Sequence, residues 1–226
     1  MQEYAAASEI LKTALGLKRS PIAITLLSER PPEEKLVERI RFCEMWSRAM
    51  GGETIYATEK EEGCGGGAYY MGLAEAAPEV RSGALLSRIY PLYRTTMAAV
   101  RTNRRSPRIP CGTGVAVMCA PLEAAEGDVH VALIVCEPAG AMKLVDAACH
   151  ESGGYVSGMT GPATCSVAVA YPYLSGQINY CVADVGARDY MKLAPEEMIV
   201  SIPGDRVLEA ARNLKRTTGS DLYSRL

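Results

Sequence analysis

Between Ser152 and Ala183 the chain reads SGGYVSGMTGPATCSVAVAYPYLSGQINYCVA, without one Asp, Glu, Lys or Arg. Gly, Pro, Ser, Asn and Gln interrupt this stretch too often for a membrane span. Its apolar content sets it apart from an exposed loop, so it is expected inside, lining a core or a pocket. At its centre Gly161-Pro162 makes a turn, and a short buried helix or strand opens at Cys165. A thiol at such an opening meets free backbone N–H groups, which favour the thiolate. The alternative role for Cys165 is that of a small buried hydrophobe.

The other elements follow from local pattern. Residues 3–17 carry apolar positions at helical spacing (Ala6, Ile10, Leu11, Leu15, Leu17) until Ser20-Pro21 breaks the run. Residues 22–27, IAITLL, form a strand apolar on both faces and therefore central. Glu33 to Ile40 reads as a short helix or turn. Phe42 to Met50 is helical and Gly51-Gly52 stops it; Glu53 to Thr58 is a strand. Cys64-Gly65-Gly66-Gly67 then leads into an apolar helix over 68–76. The arginine-rich run TNRRSPRIP reads as a solvated loop. Gly112–Ala120 and Val129–Cys136 are buried strands whose Cys119 and Cys136 are packing thiols. Glu137-Pro138 opens a helix running to His150. Gln177–Val182 and Met198–Ile202 are further strands, and Arg206–Lys215 is a final helix before a polar, frayed tail.

These elements make an α+β fold with a mixed sheet and flanking helices. At 226 residues the chain has room for one domain spanning 1–226, or two intimately packed halves. Two segments echo each other: CEMWSRAMGGETIYATEKEEGCGGGAYYMGLAE and VDAACHESGGYVSGMTGPATCSVAVAYPYLSG each carry Gly-Gly, a turn, a Cys, and then small apolar residues with Tyr. VALIVCEPAGAMKLVDAA and EEMIVSIPGDRVLEAA echo each other as well. The echo predicts pseudo-twofold halves of about 1–110 and 111–226, with Cys64 and Cys165 at related places and Cys43 near them.

A formal charge of −2 provides no field for nucleic acid or an anionic membrane, so neither is expected as a partner. The N-terminus has early acidic residues and no apolar core of a signal peptide, which predicts a cytoplasmic protein. Eight cysteines are then not expected to form disulfides. None are spaced as Cys-x-x-Cys, so any metal site must be assembled from distant segments. Twelve tyrosines against one Phe and one Trp suit pockets and subunit interfaces, and a homodimer is expected.

Four stretches together resemble the archaeal and bacterial family known as domain of unknown function one-six-nine. They are PIAITLL; FCEMWSRAM followed by GCGGGAYYMGL; APLEAAEGDVHVALIVCEP; and ATCSVAVAYPYLSGQIN followed by IVSIP. The resemblance covers most of the chain. It implies a soluble α+β protein with recurring cysteines at Cys43, Cys64 and Cys165. Many bacterial relatives carry Cys-Tyr-Gly-Cys-Arg where this chain reads Asp184-Val185-Gly186-Ala187-Arg188. Gly186 and Arg188 match, and both cysteines are absent; Cys181 lies three residues earlier.

Three functions compete. In the first, Cys43, Cys64 and Cys165, with Cys181 as fourth ligand, hold an iron–sulfur cluster of the 4Fe–4S type. Gly65 and Gly66 let the backbone approach it. Its partner would be a small molecule or a redox partner protein. A zinc ion in the same place fits the cysteine spacing less well. In the second, no metal is bound: Tyr69, Tyr70, Tyr155, Tyr171 and Tyr173 line a pocket for a metabolite or organic cofactor, and Arg188 or one of the arginines in the run before Ile109 holds its anionic group. The third is thiol chemistry at Cys165, or at a Cys43/Cys64 pair, for which no base is evident; Cys149 and His150 are helix neighbours that point apart. The chain has no phosphate-binding loop, dinucleotide fingerprint or HExxH motif.

Overall fold

A computed structural model describes residues 2–217; the tail expected to fray lies outside the described residues. In chain order the elements are α1 (Gln2–Leu15), β1 (Ile22–Leu27), α2 (Phe42–Met50), β2 (Ile55–Thr58), α3 (Gly65–Tyr70), α4 (Pro78–Arg81), α5 (Thr96–Arg105), β3 (Ala116–Pro121), β4 (Val131–Cys136), α6 (Pro138–Cys149), α7 (Tyr171–Ser175), β5 (Asn179–Cys181), α8 (Val185–Tyr190), β6 (Met198–Pro203) and α9 (Val207–Leu214). A π-helical segment, Cys165–Ala170, runs directly into α7.

The six strands form one sheet in the order β2-β3-β1-β4-β6-β5. Every ladder is antiparallel, with Ile24 opposite both Cys119 and Val131 and Leu133 opposite Ser201. The α+β class stands, but the sheet is not mixed: parallel pairing is confined to the isolated bridges Leu36–Tyr56 and Ile40–Glu62. The strands suggested otherwise because helices cover both faces, so each strand is apolar throughout, as parallel strands usually are.

Strand alternation sends two sets of side chains to two cores. On one face Ala23, Ala132, Ile134, Val200 and Ile202 meet α1, α6 and α9. Leu11, Leu144 and Leu214 are fully buried there, each stabilising the fold by roughly 1.5–3 kcal/mol. On the other face Ile22, Ile24, Val117, Leu133 and Ile199 meet α2, α3, α8 and the π-helical segment, around Trp46 and Phe42. His130 ties β1 to the loop before β4: its Nδ1 accepts the Leu26 N–H at 3.0 Å and its ring meets Tyr173 edge-on.

The strand order is symmetric about its centre. From the centre outward the first half reads β1-β3-β2 and the second β4-β6-β5, with β1 and β4 antiparallel at the middle. A twofold axis through the sheet relates such an arrangement. β3 therefore belongs to the first half, and the division falls between Pro121 and Val131 rather than near 110. The sequence VALIVCEPAG is a first strand of its half and EEMIVSIPGD a last strand, so their likeness is not the repeat. Cys43 lies in the first turn of α2, between β1 and β2, and Cys165 at the start of the π-helical segment that follows α6 between β4 and β5. By strand order it is Cys43, rather than Cys64, that stands in the place corresponding to Cys165.

Two further expectations change. Residues 152–160, read as buried, are almost entirely exposed, because Gly, Ser and Thr leave a backbone that water can solvate. Burial begins at Thr164 and continues through Ala170. The run TNRR, read as loop, completes α5. Thr95 Oγ1 caps that helix by accepting the Ala98 N–H, while Ala99 and Asn103 face inward. No helix among the described residues is long and apolar enough to cross a membrane.

Candidate thiol cleft on the helical face

Three cysteines from three segments line one cleft. Cys43 stands in the first turn of α2, Cys64 immediately before α3, and Cys165 at the start of the π-helical segment. The segment entering α2 is laced to the one entering α3: Ile40 N–H donates to Glu61 O at 2.8 Å and Gly63 N–H to Ile40 O at 2.7 Å. Arg41 N–H donates to Glu44 Oε2 at 2.9 Å and fixes the start of α2. These bonds bring Cys43 beside Cys64.

The cleft opens to solvent. Its walls include Phe42, Leu85, Leu86, Tyr90 and Leu92. Gly66 is part of the wall: a Cβ there would lie 3.2 Å from Leu85 Cδ2 and 3.7 Å from Cys64 Sγ. Gly65 does not line the cleft; a Cβ there would meet Glu79 Oε1 at 2.9 Å.

Gly67 N–H donates to Cys64 Sγ at 3.4 Å. The neighbouring Cys43 thiol, together with burial, holds Cys165 well above the ordinary thiol range. Burial also pushes the Cys64 thiol up. The thiolate expected at Cys165 is therefore not the resting form of the metal-free chain: burial and a neighbouring thiol outweigh the nearby N–H groups. Among the described residues no group of three or more His, Cys, Asp or Glu is arranged to hold a metal ion. The three thiols share a cleft without the tight convergence of a single-ion site.

Two carboxyls adjoin the thiols, and the sequence reading passed over both. Glu62 is 6% exposed. Its Oε1 accepts the Cys64 N–H at 2.8 Å and its Oε2 has no hydrogen-bond partner. Burial raises its pKa to about 8. Asp184 lines the cleft opposite; its Oδ2 accepts the Thr164 N–H at 2.5 Å and the Thr164 hydroxyl at 2.6 Å. Its Oδ1 accepts the Ala187 N–H at 2.9 Å. Arg41, also unremarked in the sequence, is the one Lys or Arg among the cleft residues and stacks over the Tyr190 ring at 4.5 Å. The available signal was adjacency: Arg41 and Glu62 each lie two residues before a cleft cysteine.

The remaining sequence candidates lie elsewhere. Cys181, the expected fourth ligand, is buried in β5 opposite Ile199 and does not line the cleft; burial pushes its thiol up to about 11. Arg188 is spent on the fold: its guanidinium donates to the carbonyls of Val182, Ala194, Pro195 and Glu197. Tyr171 donates its hydroxyl to Gln177 outside the cleft, and Tyr155 is fully exposed. Tyr69 and Tyr173 lie at other depressions. Of the five tyrosines expected, Tyr70 alone reaches the cleft, where Tyr90 and Tyr190 join it.

An uncharacterised protein of Methanocaldococcus jannaschii, MJ0308, is 29% identical to this chain over 196 residues, covering 83% of this chain and 84% of its own. No solved structure matches. The model of the DUF169 family, described as Uncharacterised ArCR, matches residues 10–213, and the chain belongs to that family.

Proposed function

We propose that the cleft holds an iron–sulfur cluster through Cys43, Cys64 and Cys165 and serves a redox or cofactor-related reaction of a small molecule. The observation that carries this reading is the meeting of three thiols from three segments at one apolar cleft. An iron–sulfur cluster takes its thiolates at separate irons, so it accepts a wider spread of sulfurs than zinc does. The Gly67 N–H already donates to one of the sulfurs, the kind of contact that tunes a cluster. When bound, such a cluster supplies electron transfer or a Lewis-acidic iron.

The chain's own residues have definite parts. Thiols held protonated by burial must release their protons on binding, so uptake of iron acidifies the medium. Phe42, Leu85 and Leu86 give the cleft apolar walls beside the sulfurs. Arg41, held over Tyr190, attracts an anionic small molecule or an acidic patch on a redox partner. That same arginine, with Tyr70, Tyr90 and Tyr190, favours the second reading, a metal-free pocket for an organic anion.

Anaerobic reconstitution with iron and sulfide separates the two readings. The wild-type chain is expected to gain a brown chromophore while releasing protons, and Cys64→Ser to gain none. A wild-type chain that stays colourless and instead retains an extractable organic compound contradicts the cluster.

A further inference from the structure

The two halves place more than Cys43 and Cys165 in register. α3 and α8 are both six residues long, and each follows a residue whose side chain accepts the N–H three positions on: Gly67 to Cys64 Sγ, Ala187 to Asp184 Oδ1. Each helix ends in Tyr-Met-x-Leu, as Tyr70-Met71-Gly72-Leu73 and Tyr190-Met191-Lys192-Leu193. The third residue is left-handed in both, with φ of 75° at Gly72 and 52° at Lys192. The closing bonds repeat too: Leu73 N–H to Ala68 O at 2.9 Å and Leu193 N–H to Arg188 O at 3.0 Å. Gly66 matches Gly186. The pairs Cys43/Cys165, Cys64/Asp184, Gly66/Gly186 and Tyr70/Tyr190 all line the one cleft. By this correspondence Cys64 answers to Asp184, and three of the four related corners are sulfur.

We infer that the cluster site has a fourth, oxygen corner at Asp184, so that the iron there is the exchangeable one. The inference rests on the cluster reading above. Thiolates are the soft ligands that iron–sulfur clusters retain, and a carboxylate is a hard one. Asp184 is held in place for the role: Thr164 supplies two donors to Oδ2, and Asp184 N–H donates back to Thr164 Oγ1 at 2.8 Å. Its Oδ1 carries a single donor. Cys181, by contrast, has no counterpart position at the cleft.

The test compares the reconstituted wild-type chain with Asp184→Cys and Asp184→Asn after stoichiometric ferricyanide. One electron passes to ferricyanide and one ferrous ion leaves, converting a four-iron cluster into a three-iron one. Released iron and the three-iron paramagnetic signal are the readouts. The wild type is expected to lose one iron readily, and Asp184→Cys to lose it at least about tenfold more slowly, the scale on which ligand shells alter metal affinity. Asp184→Asn keeps the cap acceptor and is expected to lose iron faster than wild type, which serves if the cysteine variant does not fold. Equal rates in every folded variant overturn the oxygen corner while leaving the cluster in place. Failure of all chains to take up iron and sulfide overturns the cluster reading itself.

Discussion

The two faces of the sheet share six strands and differ in what covers them. One face carries α1 and α6, of 14 and 12 residues, with α9, and its side chains close into a core of Ala, Val, Ile and Leu. The other carries the six-residue α3 and α8 and the π-helical segment, and there the cleft opens. Long helices bury continuous apolar stripes. Short ones bring many chain starts to one place, and each start presents a side chain and unpaired N–H groups to the same space. The first face thus forms a closed core, and the second holds the candidate site.

That division is broken most directly by cysteine replacement. Cys165→Ser is expected to abolish cofactor uptake. Cys136→Ser, against α6 on the other face where burial pushes its thiol to about 12, keeps full uptake and loses stability. Iron and sulfide per folded chain is the measurement, and equal values in both variants would sink the division.

Next in size, Leu144→Ala on the first face is expected to cost about 2–5 kcal/mol in denaturant unfolding, since its side chain is fully buried. Uptake per folded chain should not change; a parallel fall would mean the two faces are coupled.

Glu62 sharpens the comparison through pH. Its folded pKa of about 8 lies above the ordinary 4.5, so the protonated form favours the folded state. That contribution is whole below about pH 4.5 and is lost as pH rises through about 8. Metal-free Glu62→Gln should therefore match wild type in acid and exceed it at pH 9 by a few kcal/mol at most, at about 1.4 kcal/mol per pKa unit. Melting curves across that range check the sign. A gain confined to acid would contradict the burial account.

The smallest effect compares the two halves. Lys192 holds the left-handed position that Gly72 holds in the first half. The left-handed backbone costs a non-glycine residue roughly 1–2 kcal/mol. The ion pair of Lys192 with Asp189 is largely exposed and contributes little. Lys192→Gly should stabilise by about 1 kcal/mol. The reverse experiment, Gly72→Lys, should fail, because a Cβ at Gly72 would lie 2.7 Å from Pro110 O.

Much of this architecture is legible in the sequence. α2 ends at Met50 before Gly51-Gly52, and β1 is central as its two apolar faces require. The helix after Glu137-Pro138 begins where Pro permits. The misreadings have physical causes. An absence of charge suggests burial at 152–160, but small polar residues are solvated there without charge. Arginines were read as loop in α5, where they occupy the outer side of a helix anchored by Ala99 and Asn103. Of the four candidate cysteines, Cys43, Cys64 and Cys165 line the cleft, while Cys181 packs in β5. The position equivalent to Cys64 carries a carboxylate, and residue type alone could not mark Asp184 as belonging there. The shared Tyr-Met-x-Leu after both helices was the signal that would have aligned them.

The most direct test of the central claim is the iron and acid-labile sulfide content of the wild-type chain purified without oxygen, read with its visible spectrum. Iron and sulfide in matching, stoichiometric amounts, with brown absorbance lost in Cys43→Ser, Cys64→Ser and Cys165→Ser, is the predicted result. A colourless chain without iron, which takes up none on reconstitution, would contradict it and return the three thiols to packing.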